Sequence, residues 1–234
     1  MPSKARKTEP KAIGDVMQWS PRCREHFFPW ATKAEAVMRE HAIAEAGITE
    51  CYPGYRLERR APRFHLLVYT TQGRGEVRDL RRTLVLTPGQ VLLCPARQPF
   101  AYRPVSRSWR FAWFHLPDDA AWRFMEKQGL QVRKTTLAEA ICRASEGFLA
   151  ESRGRTESHA AASAQYMKLI DIYIRRELGT MQTAQQPGTE GRLDHLCALV
   201  NADLARAWSV PLLAEAIDVS PPHLHHLVQR RFAL

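Results

Sequence analysis

Four side chains near the C-terminal end of this 234-residue sequence share one helical face. Pro222, His225, His226 and Gln229 recur at offsets of 0, 3, 4 and 7. Short and hydrogen-bonding groups at that spacing form an outward stripe suited to reading base edges in a major groove. The same spacing also fits an ordinary helical hairpin with a solvated polar face. A second group, Arg59, His65, Tyr69, Tyr102, Trp109 and Trp113, combines aromatic faces with planar hydrogen-bonding heads. A pocket for a sugar or other small molecule needs that combination. Plain core packing is the competing reading for each member. No G-x-S-x-G, H-E-x-x-H, P-loop or dinucleotide fingerprint occurs in the sequence.

The elements that must position the first group lie between Trp208 and Leu234. Val210, Leu213, Ala214 and Ile217 give a first helix one apolar face, and Pro211 falls where a first-turn proline is tolerated. Asp218-Val219 makes the turn, with Val219 filling the angle between the helices. Ser220 is the N-cap of a second helix and Pro221 its first residue. Leu224, Leu227 and Val228 point inward from that helix. A preceding helix, 192–207, offers Leu193, Leu196, Leu199, Val200 and Leu204 to the same core, with His195 and Asp203 in solvent.

The second group lies in a stretch of different character. Short strands are expected at Tyr55–Leu57, Phe64–Thr71, Gly75–Arg78, Thr83–Leu86, Val91–Cys94, Phe100–Arg103 and Trp109–Leu116. Gly, Pro and Arg clusters separate them, as in a small β-barrel or sandwich. Gln72–Glu76 (QGRGE) reads as a hairpin turn, and Leu86–Tyr102 as a turn, a buried strand and a proline corner. Trp109, Phe111, Trp113 and His115 alternate onto one face and Arg110, Ala112, Phe114 and Leu116 onto the other. Both faces are largely apolar, so that strand is expected to be covered on both sides. Upstream, 12–50 reads as irregular and helical, with a helix Ala34–Ala46 capped by Gly47 and an aromatic entry of Trp19, Phe27, Phe28 and Trp30. Downstream, helices are expected at Asp118–Gln128, Thr136–Glu151 and Ser158–Leu178. The last carries Tyr166, Leu169, Ile170, Tyr173, Ile174 and Leu178 on a broad apolar face. Gly179–Gly191 reads as a flexible linker.

Trp208 before an LAEAI-type helix, followed by V-S-P-x-x-L-x-x-L, resembles the first helix-turn-helix of the AraC/XylS family of bacterial transcription regulators. The hairpin GxG, the L-x-P-G-x-hhh-x-P corner and the closing W-x-x-x-W-x-H strand resemble that family's cupin-like effector-binding domain. The resemblance implies an α+β fold: a cupin-like β-barrel or sandwich with flanking helices, then an all-α helix-turn-helix segment. It implies an N-terminal segment (1–45), partly disordered and then helical, an effector domain (46–116), a helical dimerisation or packing region (117–178), a linker (179–191) and a partial DNA-binding domain (192–234). Within the family pattern Pro222, His225 and His226 fall on base-facing positions and Gln229 nearer the backbone, and Ser220 and Arg230 complete the expected DNA-contacting set. Val228 stands where the family usually has Phe, and His226 where it often has Arg, so the two-pronged guanine contact is given up. The implied partners are double-stranded DNA, a small-molecule effector such as a sugar, and a second copy of the chain in a homodimer, with RNA polymerase contact left open. The linking helix and second helix-turn-helix of the family are absent before Leu234. A sensor or dimerisation module without autonomous DNA binding therefore stands as the alternative.

A cupin-type enzyme is the third reading. Catalytic cupins hold a metal through H-x-H, a following Glu and a later His. Here His65 stands alone on its strand, Glu76 follows at an unsuitable distance, and Phe100 takes the later position. Three convergent ligands are the usual minimum, so no metal, cofactor or enzymatic activity is expected.

Composition sets outer bounds. Hydrophobic residues make up 45% and charged residues 25% of the chain, ordinary for a globular protein. The net charge of +10 is unevenly placed. Residues 51–116 carry 12 Arg against 3 acids, whereas 192–234 carry 4 of each and are neutral overall. Basic charge therefore sits away from the expected reading helix, and solvation of the protein surface accounts for it most simply. Five scattered cysteines without a C-x-x-C argue for a reducing compartment. With neither a membrane-length apolar run nor a signal-peptide h-region, the expected location is the cytoplasm, away from membranes.

Overall fold

A computed structural model describes residues 13–29, 33–185, 193, 196, 197, 199–201, 207–217 and 219–232. The chain divides into two compact units, residues 1–175 and 176–234.

The first unit is built on two long antiparallel strands, β5 (Phe64–Arg78) and β8 (Phe100–Pro117). β-Branched and aromatic residues dominate their outer portions, which favours extended backbone. Each strand serves two sets of neighbours. Leu66–Thr70 of β5 pairs with β7 (Gln90–Cys94), and its far end, Gly75–Arg78, pairs with β6 (Thr83–Leu86). Phe100–Tyr102 of β8 pairs with β4 (Arg56–Arg59), and Trp109–His115 with β3 (Glu45–Cys51). β1 (Val16–Gln18) adds to β4, β2 (Arg24–Phe27) to β3, and β9 (Gln131–Lys134) to β7.

Gln72–Glu76 makes no hairpin. β5 runs straight through it, paired with β8, with register shifts between Thr70 and Gln72 and between Gly73 and Gly75. Such bulges bend a strand, and here they divide the long pair into two arms. Gly73, at φ +70°, occupies one of them. The expected closed barrel is corrected by the same feature. The sheet path β1-β4-β8-β5-β7-β9 ends on β1 and β9 without pairing them, so the sheet is open. Its arms fold toward each other over one apolar cluster that takes Leu66, Val68 and Trp113 from one arm and Leu57, Val77 and Tyr102 from the other.

Trp109, Phe111 and Trp113 enter that cluster, while Phe114 faces the opposite side against Phe28 and Tyr69. Both faces of β8 are therefore covered. The second face is closed by α2 (Ala138–Glu151), whose Ile141, Cys142, Ser145 and Phe148 are buried, with Phe148 against Phe28 at a ring separation of 4.5 Å.

The N-terminal part departs from expectation. Helix α1 is Lys33–Glu40 and stops short of Ala46; Glu45–Cys51 is a strand. A seven-residue ladder against Trp109–His115 outweighs the high helix propensity of Ala44 and Ala46. Gly47 therefore lies opposite Trp113 in a sheet and caps no helix. Asp118–Gln128 is reduced to a 3-10 turn, Arg123–Lys127, followed by β9. Helix α3, Glu157–Gln185, continues through seven positions of the expected linker, and 186–192 lie outside the described residues. Ile170, Ile174 and Leu178, on the stripe offered for dimerisation, are already buried within the chain. Trp30 also lies outside the described residues.

In the second unit, α4 (Val210–Ala216) and α5 (Pro221–Phe232) are joined by a short turn. Ser209 Oγ accepts the Leu212 N–H at 3.5 Å, and Ser220 Oγ accepts the His223 N–H at 3.4 Å, so both helices start on serine caps. Leu193, Leu196, Ala214, Ile217, Leu224 and Leu227 form one apolar cluster, with Leu213, Val219 and Val228 packed against it. Val210 was expected on this face and is exposed instead. Of the preceding helix only Leu193, Leu196, Cys197, Leu199, Val200 and Asn201 are described, all helical; His195, Asp203, Leu204 and Asp218 lie outside.

Candidate functional site

Strand parity divides the aromatic and polar set expected to bind a small molecule. Directly opposed residues in an antiparallel pair share a face. Val68 opposes Trp113 and Leu66 opposes His115 on the inner face, whereas Tyr69 opposes Ala112 and His65 opposes Leu116 on the outer one. Tyr69 packs against Phe114 on that outer side. His65 is fully buried there, with Nδ1 accepting the Ala96 N–H at 3.1 Å. Burial lowers the pKa of its imidazole and keeps the ring neutral. The sequence-level set is thus two sets. Trp109, Trp113 and Tyr102 come together in the inner cluster, and Arg59 shares the Leu57–Tyr102 side of β4.

Trp109 is a core residue. It has no exposed surface, its Nε1 donates to Thr70 Oγ1 at 3.2 Å, and its ring packs against Tyr102 and Phe111. Trp113 is slightly less buried and carries a polar relay. Its Nε1 donates to Thr49 Oγ1 at 3.0 Å, and the Thr49 hydroxyl donates to Glu25 Oε1 at 3.0 Å. The other carboxylate oxygen, Glu25 Oε2, is buried and has no hydrogen-bond partner. Burial raises the Glu25 pKa to about 7, with the contacts to Thr49 and Trp113 pulling the other way. The carboxylate is close enough to act electrostatically on Cys51, Tyr55 and Tyr102.

Aromatic rings frame this group. Phe27 meets Trp113 edge-on at 5.6 Å, Trp19 meets Tyr55 at 5.7 Å, and Tyr55 stacks on Tyr102 at 6.2 Å with their hydroxyls hydrogen-bonded. Next to Trp113 stands His115, stacked on Phe64 at 3.7 Å, with Nδ1 3.1 Å from Glu45 Oε2. Burial lowers the His115 pKa despite that partner. Arg59 donates to the carbonyls of Glu58 and Val16 and raises the local positive potential at Glu45, Tyr102 and His115.

Glu25, Thr49, Tyr55 and the His115–Glu45 pair were absent from the sequence-level set. The usable signal for Glu25 was alternation in Cys23–Phe27 (CREHF), which puts Cys23, Glu25 and Phe27 on one side. A carboxylate at an inward position is unusual enough to mark a site.

Glu25 also gives a pH prediction. Its folded pKa of about 7 lies above the ordinary 4.5, so the fold binds this proton more tightly than the unfolded chain does. The stability it supplies is complete below pH 4.5 and is lost as pH rises through 7. Buried His65 and His115, with lowered pKa values, titrate in the opposite sense over part of this window. The comparison of Glu25→Gln with wild type isolates the effect. The variant should gain relative stability between pH 5 and pH 8, by about 2 kcal/mol once solvent screening at this half-buried position is allowed for. Thermal melts across that range measure it; parallel curves would remove Glu25 as the titrating group.

In the second unit, Pro222, His225, His226 and Gln229 are all exposed on α5, opposite Leu224 and Leu227. Ser220 is exposed and already used as the cap. The side chain of Arg230 lies outside the described residues. Among the described residues no three His, Cys, Asp or Glu side chains gather as a metal-ligand set, and no helix is long and apolar enough to cross a membrane.

Residues 42–170 match the family model of the AraC-like ligand-binding domain. The chain belongs to that family. The AraC-like domain takes in most of the sheet and α2, whereas Glu25 and Phe27 enter from the strand upstream of it. The chain is 22% identical over 187 residues to the arabinose operon regulatory protein of Escherichia coli (strain K12), covering 73% of this chain and 61% of that one. It therefore spans about three fifths of the length of this curated relative. Among solved structures, the AraC-like transcriptional activator CuxR aligns at 14% identity and a TM-score of 0.41, covering 80% of this chain and 76% of its own. A cupin superfamily protein from Desulfitobacterium hafniense DCB-2 aligns at 14% identity and a TM-score of 0.34, covering 42% of this chain and 80% of its own.

Proposed function

We propose that this protein is a ligand-responsive, DNA-binding transcriptional regulator of the AraC type. The observation that carries the ligand half is the Glu25–Thr49–Trp113 relay beside an AraC-like ligand-binding domain. It leaves a buried carboxylate oxygen unpaired, at a cost of about 1–3 kcal/mol. A ligand hydroxyl or N–H supplied there removes the cost. The faces of Trp113, Tyr55 and Tyr102 suit the apolar face of a sugar or similar hydroxylated molecule, and Arg59 adds a planar donor at the rim. His65 and Tyr69 have no place in this pocket. The effector acts as a population shift, favouring one arrangement of the DNA-reading parts by as much as it binds that arrangement better.

The DNA-reading half rests on α5. Its exposed Pro222, His225 and His226 face base edges, with Gln229 toward the backbone, Arg230 a further DNA contact and Ser220 holding the helix start. A homodimer presents two such helices; half-buried Leu169 and exposed Ile172 are apolar residues of α3 that fit such a contact. Contact with RNA polymerase and a cytoplasmic location belong to the same proposal. One observation favours a second reading, a sensor without autonomous DNA binding: residues 192–234 carry no net charge, and phosphate contacts supply much of DNA affinity.

Selection of bound duplexes from a random pool by the full chain, at low and moderate salt, separates the two. The regulator reading expects an enriched motif, and His225→Ala or His226→Ala relaxing one position of it by about 1–3 kcal/mol. A pool with no enrichment at either salt would leave the sensor reading.

A further inference from the structure

We propose that Cys23 and Cys51 are a modification site, a cross-strand thiol pair that a hydroperoxide oxidises reversibly to a disulfide. The β2–β3 register runs from Arg24 opposite Glu50 to Phe27 opposite Gly47. One further step places Cys23 opposite Cys51. The class of that pair follows from the ladder. The Phe28 N–H donates to Ala46 O at 2.9 Å, which makes 28 and 46 a hydrogen-bonded pair. Stepping back by two gives 26/48 and 24/50 the same class, so 27/47, 25/49 and 23/51 are non-hydrogen-bonded pairs. Such pairs have the closer backbones, about 4.5 Å between Cα atoms, with side chains in contact. A disulfide spans about 4.4–6.8 Å between Cα atoms, so this pair sits at the short end of the permitted range.

Neighbouring side chains agree with the phase, while the Cys51 thiol donates to Trp109 O at 3.5 Å and must turn from that contact to reach Cys23. The 25/49 pair is joined directly by the Thr49–Glu25 hydrogen bond. The Tyr52 N–H donates to Cys23 Sγ at 3.4 Å, which holds that sulfur over the Cys51–Tyr52 peptide. Both cysteines belong to the inner apolar cluster, Cys51 within it and Cys23 packed against it. Cys23 is half-buried and open to a small oxidant, whereas Cys51 is fully buried. Cys94 and Cys142 are buried elsewhere, against Gln98 O and Arg110, and Cys197 belongs to the other unit.

The chemistry balances. The Cys23 thiolate attacks one peroxide oxygen, the O–O bond breaks, and the leaving oxygen takes up a proton as water or alcohol. Cys23 is now a sulfenic acid. The Cys51 sulfur attacks the Cys23 sulfur, the S–O bond breaks, and the Cys51 proton leaves with the hydroxide as water. Two electrons pass from the two sulfurs to the O–O bond. An external dithiol reopens the bridge by thiol–disulfide exchange. The bridge staples β2, and with it Glu25 and Phe27, onto β3 beside Trp113. That consequence rests on the ligand-site reading; the bridge itself does not.

The test treats the full chain with hydrogen peroxide, then maps it by mass spectrometry without reduction. The expected result is the loss of two hydrogen masses, a peptide linking Cys23 to Cys51, reversal by dithiothreitol, and slower hydrogen exchange in β2. Cys23→Ser, at a half-buried position, should abolish the mass loss. Oxygen added to Cys23 without a bridge, or cross-linking only through Cys197 between chains, would overturn the proposal. The wild-type map decides the matter even if a Cys51 variant fails to fold.

Discussion

Trp109→Ala should cost about 4 kcal/mol of stability in the first unit, the largest single loss expected here. Trp109 is wholly buried, packs on Tyr102 and Phe111, and satisfies its one polar atom through Thr70. Truncation therefore leaves a cavity at the point where both arms of the sheet meet and strands the Thr70 hydroxyl. Trp113 is an aromatic only four residues on along the same face. Trp113→Phe keeps an aromatic face but loses part of the ring and the Nε1 donor to Thr49, and should cost about 2 kcal/mol, less than the full truncation of Trp109. Denaturant melts of both variants compare the two positions. Equal losses would mean that Trp113 is simply core and that the relay to Glu25 has no special status.

Gly75→Ala should cost about 3 kcal/mol and lower the Tm by about 10 °C. A Cβ at this position would lie 2.5 Å from atoms of the Trp109 ring. The ring cannot retreat, because its other side is packed and its Nε1 is tied to Thr70. The bulges on either side of Gly73 let β5 bend, and Gly75 lets the bent arm lie directly on the tryptophan. Gly129→Ala, where a new Cβ meets nothing within 4 Å, is the control and should change the Tm little. A Gly75→Ala protein as stable as wild type would mean that the two arms are less tightly joined than this packing implies.

Much of this architecture was legible. Alternation from Trp109 to Leu116 revealed a strand covered on both faces, because a period of two depends only on local backbone geometry. The Ser220 cap and inward leucines of the C-terminal helices were legible for the same reason. Four things were hidden. Gly73 and Gly75 look like a turn, and only long-range pairing with β8 turns them into bulges. Ala34–Ala46 looks like one helix until the ladder at Glu45–Cys51 outcompetes propensity. His65, Tyr69 and Trp113 look like one pocket until the register with β8 puts them on opposite faces. Glu25 was hidden most completely, since a lone acid in a short N-terminal segment carries no sign that Thr49 and Trp113 will close around it.

Thermal stabilisation of the full chain by a panel of monosaccharides and polyols, compared across wild type, Glu25→Gln, Trp113→Phe and His65→Ala, tests the inner-face pocket most directly. Ligand binding to the folded state raises the Tm by an amount that grows with the logarithm of ligand concentration over Kd. The expected result is a compound that stabilises wild type and His65→Ala alike and loses most of its effect on Glu25→Gln and Trp113→Phe. A compound whose effect survives both inner-face substitutions and disappears with His65→Ala would place the ligand on the outer face and contradict the pocket.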